Sequence, residues 1–264
     1  MAGNFARAAS AHLPLQLSDL IRRKLKIRRI ALDQPVFSFL VDRDGRSSWV
    51  SEGKSSGQAK SSTDAGSKEP LTLLVENGSA SFLDEHYGQA FSLEDASANI
   101  SIGDNGELEV EGTASLNKQF ARIEAQVKSV KRLGEDGSPL DLTITAPALT
   151  VNFTGRLGTH EELHLAGAID ATAPDLRHLA KWLGSDVTGN AGLKNFSLAG
   201  ALDSKGAVFN LSKASVALDG MVATGDMTLD LTKKIPNVNA TLSTDVFSLD
   251  PYLPARKDGI VSAG

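Results

Sequence analysis

Leu108-Glu109-Val110-Glu111-Gly112-Thr113-Ala114-Ser115-Leu116 alternates apolar or small residues with polar ones at every step. A period of two sends successive side chains to opposite faces of an extended chain, so this stretch predicts a β-strand with one dry face and one wet face. The pattern continues outward from it. Ala121, Ile123, Ala125 and Val127 alternate with Arg122, Glu124, Gln126 and Lys128. Leu149, Val151, Phe153, Gly155 and Leu157 alternate with Thr150, Asn152, Thr154 and Arg156. Leu163, Leu165 and Ile169 follow, then Phe196, Leu198 and Leu202, then Met227, Leu229 and Leu231, and last Val238, Ala240 and Leu242. Asn77-Gly78, Asn105-Gly106, Asp136-Gly137, Lys205-Gly206 and Asp219-Gly220 supply residues that tolerate the left-handed backbone of tight turns. From Leu71 onward, about a dozen strands joined by such turns are expected.

One helix interrupts them. Pro174 to Gly184 has proline at the first turn, glycine at the end, and Leu176, Leu179, Ala180 and Leu183 on one stripe. That stripe predicts a helix over 174–183 docked on the sheet's apolar face through Leu176, Leu179 and Leu183. Trp49 and Trp182, the only indoles, are expected in packed surroundings. A second helix is expected near Leu15–Lys24, where Ser18-Asp19 can cap it.

The chain has 264 residues, enough for one large domain or two small ones. It has no cysteine, which excludes disulfides, thiolate metal sites and thiol nucleophiles. Its net charge of −5 argues against a general nucleic-acid binder. With 24 Gly, 9 Pro and only 5% aromatics, it suits short strands and tight turns better than a helical bundle. No apolar run reaches the ~18 residues of a membrane-spanning helix, and Met1–Ser10 lacks the apolar core of a signal peptide.

Charge divides the chain. Residues 1–50 carry nine Lys/Arg against four Asp/Glu, leaving a net of −10 for the other 214. The basic residues cluster at Arg22, Arg23, Lys24, Lys26, Arg28 and Arg29. Three readings stand for them: a solvated helix end running into a strand, contact with anionic lipid headgroups at a membrane surface, and, last, nucleic acid. Residues 51–69, SEGKSSGQAKSSTDAGSKE, contain no large apolar side chain and are expected to be a disordered linker. The expected organisation is thus a helix and strands over 1–50, the linker over 51–69, and a β-sheet body over 70–264.

The motifs that signal chemistry are absent or misplaced. His160-Glu161-Glu162-Leu163-His164 spells H-E-x-x-H, but that zinc motif needs a helix to bring both imidazoles to one face. Here Gly158-Thr159 precedes it as a turn and an alternating strand follows, so His160 and His164 are expected to bind no metal. Neither a phosphate-binding G-x-x-x-x-G-K-[ST] nor a G-x-S-x-G nucleophile elbow occurs. Glu107, Glu109 and Glu111 fall on one strand face, as solvated surface does. No enzyme, cofactor or metal is expected.

A dozen strands with one apolar face pose a packing problem, since one short helix cannot cover them. The sheet must close into a barrel, split into a sandwich, or curl into an open gutter. Gly112, Gly155, Gly167, Gly200 and Gly225 sit in or beside the strands, where they ease bending.

Two stretches resemble a known family. Ile27-Arg28-Arg29-Ile30-Ala31-Leu32-Asp33-Gln34-Pro35, followed by Val41-Asp42-Arg43-Asp44-Gly45-Arg46-Ser47-Ser48-Trp49, is similar to the N-terminal signature of the AsmA family, with Ser48 in place of the usual Asn. Gly167 to Gly184, continued through Gly192–Leu198, Leu218-Asp219-Gly220, Thr228–Leu231 and Leu249–Leu253, resembles the AsmA-like repeat. The resemblance covers roughly residues 15–254.

It implies a protein anchored in the inner membrane and facing the bacterial periplasm. Its long, curved antiparallel sheet would be an open gutter like those of bridge-like lipid-transfer proteins. The function implied is shielding phospholipid acyl chains on the way to the outer membrane, and so supporting outer-membrane integrity. Family members begin with a membrane helix, so this chain is expected to be an internal piece of a longer protein or the product of a truncated gene model. In such a gutter the lipid-facing residues would be Leu108, Val110, Ile123, Val127, Val151, Phe153, Leu165, Phe196, Leu198 and Leu229. Two rival readings are an assembly factor that pairs its strand edges with outer-membrane β-barrel proteins, and a closed barrel holding a small ligand.

Overall fold

The computed structural model describes residues 6–7, 10–12, 29–43, 70–85, 89–159, 162–184, 192–232, 237–245 and 252. The expected helix near Leu15–Lys24, the linker over 51–69, Trp49, His160 and the basic residues Arg22, Arg23, Lys24, Lys26 and Arg28 lie outside them. Arg29 is described and exposed.

Fifteen strands form one sheet. In chain order they are β1 (Ala6–Arg7), β2 (Ser10–His12), β3 (Arg29–Asp33), β4 (Val36–Val41), β5 (Leu71–Asp84), β6 (Gln89–Ile102), β7 (Leu108–Leu116) and β8 (Gln119–Val127). A single 3-10 turn (Val130–Arg132) follows, then β9 (Ser138–Ala146), β10 (Leu149–Gly158), β11 (His164–Ala173) and α1 (Leu176–Trp182). The rest are β12 (Phe196–Lys205), β13 (Val208–Leu218), β14 (Met221–Asp230) and β15 (Asn237–Ser243).

From β5 to β15 each strand pairs antiparallel with the next, an unbroken meander. β3 and β4 lie end to end along β5, both parallel to it, and β1 and β2 lie end to end along them. The N-terminal strands therefore belong to the same sheet as the body. Among the described residues β15 pairs only with β14, so the sheet does not close. This rules out the closed barrel and leaves an open, curved sheet.

Asn77-Gly78 is not a hairpin turn: it lies inside β5. Asn77 takes φ 52° and forms a bulge beside Gln34 (φ 49°) and Asp95 (φ 49°) on the neighbouring strands. Gln34 N–H donates to the Glu76 carbonyl and Ser79 N–H to the Pro35 carbonyl, so the break between β3 and β4 stays hydrogen-bonded. A bulge in one strand alone would turn every later apolar side chain to the wet face. Matched irregularities in adjoining strands keep all of them on one side. The other four predicted turns connect strands or flank β9, and Asn117-Lys118, not predicted, turns β7 into β8 without glycine, both residues having positive φ.

α1 is shorter than expected. Asp175 is its N-cap, accepting from His178 N–H at 2.9 Å. Gly184, at φ 85°, takes the left-handed conformation that ends it. Leu179 and Trp182 are buried, whereas Leu183 is 57% exposed. The docking residue is thus Trp182 and not Leu183: the buried arc of the helix runs through Leu179 and Trp182, and Leu183, one residue on, falls on its flank.

Candidate functional site

The strand register brings all ten predicted lipid-facing residues to one face. Directly paired residues share a face, and Leu108, Val127, Leu140, Gly155, Gly167, Leu202, Leu211 and Met227 form one continuous row across the sheet. Val110, Ile123, Val151, Phe153, Leu165, Phe196, Leu198 and Leu229 fall on the same side, at even spacings from that row. The face continues into the N-terminal strands, where Phe39, Phe82 and Phe91 lie side by side and the last two rings stack at 4.9 Å.

Burial divides the face. Val127 and Phe153 are packed, at 4% and 3% exposure, in a cluster with Leu140, Leu202 and Leu211. The other eight predicted residues are half-buried. The cause lies in the glycines. Gly155 and Gly167 face each other across β10 and β11, so close that a Cβ on Gly155 would sit 2.7 Å from Phe153 Cζ. The Phe153 ring lies over that notch. Leu211 similarly lies over Gly200, where a Cβ would be 3.1 Å from its Cγ. Side chains of β9 and β12 then meet across the glycine pair, and the middle of the face fills itself. Period two alone could not distinguish these filled positions from the open floor beside them.

Part of each row of strand ends is covered. At one rim sits α1, where Leu179 and Trp182 pack on Ala148 and Ala173 with Leu116, Leu149 and Phe196 around them. Trp182 Nε1–H donates to the Leu116 carbonyl at 2.6 Å, and Asn117 Nδ2 donates to the Trp182 carbonyl at 2.6 Å. Gln119 and His178 are hydrogen-bonded at 2.8 Å. At the other rim the segment after β8 folds back so that Leu133 packs against the central cluster. Val130 N–H donates to the Gly106 carbonyl, Thr159 N–H to the Leu133 carbonyl, and Arg132 pairs with Asp136.

One carboxylate ties α1 to the far strands. Asp219 accepts from the N–H groups of Leu193 and Lys194 at 2.8 and 2.9 Å and from the Tyr252 hydroxyl at 3.0 Å. The carbonyls of Lys194 and Leu193 in turn accept from Leu176 and Arg177 N–H, the first-turn amides of α1. Burial disfavours the Asp219 charge, but the donors outweigh it and hold its carboxyl below the usual carboxylate range. Burial, together with that neighbouring carboxylate, pushes the Tyr252 hydroxyl up. A depressed carboxyl pKa stabilises the fold above its unfolded value, and that support is lost as pH falls through the lowered folded value. The amide shifts of Leu193 and Lys194 should therefore titrate together, below the ordinary carboxylate range, and Asp219→Asn should abolish the titration.

The opposite face is polar over the central strands, while Val36, Leu40, Leu83, Phe120 and Val222 are exposed on it towards the flanks and ends. Lys128 pairs with Glu107 at 2.9 Å, Gln126 donates to Glu107 and Glu109, and Arg122 pairs with Glu124 at 2.6 Å. Such exposed pairs contribute about 0–1 kcal/mol each. His164 opens β11 as an extended residue and lies 3.3 Å from Asp203. Among the described residues no group of three His, Asp or Glu could hold a metal ion, and no helix is long and apolar enough to cross a membrane. No protein-family model, curated protein or solved structure matches the chain.

Proposed function

We propose that this chain is a non-enzymatic segment of an AsmA-like envelope protein, and that its apolar face shields phospholipid acyl chains passing between the inner and outer membranes. One observation carries the reading: apolar side chains from successive strands share one face, rimmed at the ends of its central strands, that no second layer of described residues covers. Water against such a face is costly, and an acyl chain replaces it. Each buried methylene contributes about 0.8 kcal/mol, so ten would contribute about 8 kcal/mol. The contacts are non-directional, which fits a face without converging polar groups. The basic segment from Arg22 to Arg29 would sit at an anionic leaflet, each cation adding about 1 kcal/mol. That would place the chain on the periplasmic side of the inner membrane.

A photocrosslinking amino acid at Ile123 or Val151, two half-buried floor positions, is expected to capture phospholipid in cells. The same probe at Glu124 or Asn152, exposed on the opposite face, should capture none. Equal adducts at all four positions, or none at any, would mean that the face is an ordinary core.

A further inference from the structure

The rim that α1 covers is basic, and two hydrogen bonds gather its cations. Asn117 Nδ2 donates to the Trp182 carbonyl, which brings the β7–β8 turn, and with it Lys118, to the end of α1 that carries Lys181. Arg177 N–H donates to the Leu193 carbonyl, which brings Lys194 to the first turn of α1. Arg177 and Lys181 are one helical repeat apart, on the side of α1 turned away from Leu179 and Trp182. Lys118, Lys181 and Lys194 are exposed, and Arg177 is half-buried. Among the described residues none of the four is in an ion pair. The carboxylates nearest to them, Asp175 and Asp219, accept from backbone amides.

The opposite rim differs. Its turns between β6 and β11 carry Asp104, Glu107, Glu135, Asp136 and Glu162, and two of the cations there, Lys128 and Arg132, are spent on Glu107 and Asp136. Only the α1 rim offers uncommitted positive charge beside large exposed apolar side chains. Leu183, next to Trp182, is 57% exposed, and Phe120, two residues beyond Lys118, is 59% exposed. Such a mixture suits a lipid headgroup layer, where apolar groups leave water while ammonium and guanidinium groups stay at the phosphates. It does not suit a stable protein partner. A helix of seven residues is about 10 Å long, too little to build the ~800 Å² per side that such an interface buries.

We propose that the α1 rim docks on an anionic phospholipid bilayer. Leu183 and Phe120 enter the headgroup layer, and Lys118, Arg177, Lys181 and Lys194 lie against lipid phosphates. The acidic turns of the opposite rim then point away from the negative surface. Arg29 opens β3 at the other row of strand ends, so this contact is separate from that of the basic segment. Docking here does not require acyl chains on the apolar face, which crosslinking at Ile123 and Val151 tests by itself.

The native chain has no cysteine, so Leu183→Cys places a single environment-sensitive dye on this rim, and Leu163→Cys, at a position 52% exposed, places one on the opposite rim. Vesicles of phosphatidylglycerol and phosphatidylcholine in equal parts are expected to shift the dye at Leu183 to the blue and brighten it. The dye at Leu163 should stay unchanged, and pure phosphatidylcholine vesicles should move neither. Each cation near an anionic surface raises binding about fivefold. Lys118→Gln combined with Lys181→Gln should therefore raise the vesicle concentration needed for half the response about thirtyfold. Lys131→Gln with Lys205→Gln, both exposed and away from α1, should leave it unchanged. A dye at Leu183 that stays silent while the chain cosediments with the vesicles would overturn the proposal and leave binding to the basic segment. Equal responses at Leu183 and Leu163, or a dye at Leu183 that responds to polyglutamate and not to vesicles, would overturn it too.

Discussion

Gly167→Val is expected to destabilise the sheet by about 3 kcal/mol, or to prevent folding. Two effects oppose each other at this position. Valine has the higher strand propensity, and removing a glycine from a strand interior ordinarily gains up to about 1 kcal/mol. Against that, a Cβ on Gly167 would overlap the Thr154 carbonyl oxygen and lie 2.5 Å from Gly155 Cα. Both obstacles are backbone and cannot rotate aside. β10 and β11 would have to part at the glycine pair, taking the Phe153 ring off its notch. Sterics should therefore win. Urea unfolding is the measurement, with Gly134→Ala as the comparison, since a Cβ there meets nothing within 4 Å. Higher stability in Gly167→Val would show that the two strands separate without cost and that the curl does not depend on the glycine pair.

The strands from β7 onward were legible because each is half-buried, and half-burial writes period two into sequence. Turns were less so. Asn77-Gly78 has the chemistry of a hairpin turn, but a bulge asks for the same positive φ, and the neighbour that decides between them is Pro35, buried against Gly78 and more than forty positions earlier. Asn117-Lys118 turns without glycine, so nothing local announces it. The parallel pairing of β3 and β4 with β5 depends on a long crossover, and no local pattern encodes it.

For the candidate site, membership of the face was legible and occupancy was not. Register follows from alternation, so Val151 and Phe153 could be placed together. That Phe153 is packed while Val151 is half-buried depends on Gly155 meeting Gly167 across two strands, a contact set by curvature. Leu183 was misplaced for a related reason. A stripe at 176, 179 and 183 is one choice of helix phase, but the arc that docks is centred on Leu179 and Trp182, because the indole is the side chain large enough to reach the sheet.

Trp182→Ala is expected to cost about 4 kcal/mol and to uncover one rim of the face. The indole is the largest side chain between α1 and the sheet, 6% exposed, and its N–H satisfies the Leu116 carbonyl. A helix of seven residues is far too short to persist without tertiary contacts. Once the indole is gone, Leu179 and the link through Leu193 and Lys194 are left to hold it. The expected result is a lower unfolding midpoint, faster amide exchange over 176–182, and stronger binding of an apolar fluorescent dye at the exposed rim. Trp182→Phe separates the two contributions, since it keeps most of the apolar contact and removes only the N–H donor. Its cost should be nearer 1–2 kcal/mol, with little gain in dye binding. If Trp182→Ala left the midpoint and the dye signal unchanged, α1 would not be seated on the sheet, and the face would be open along that rim from the start.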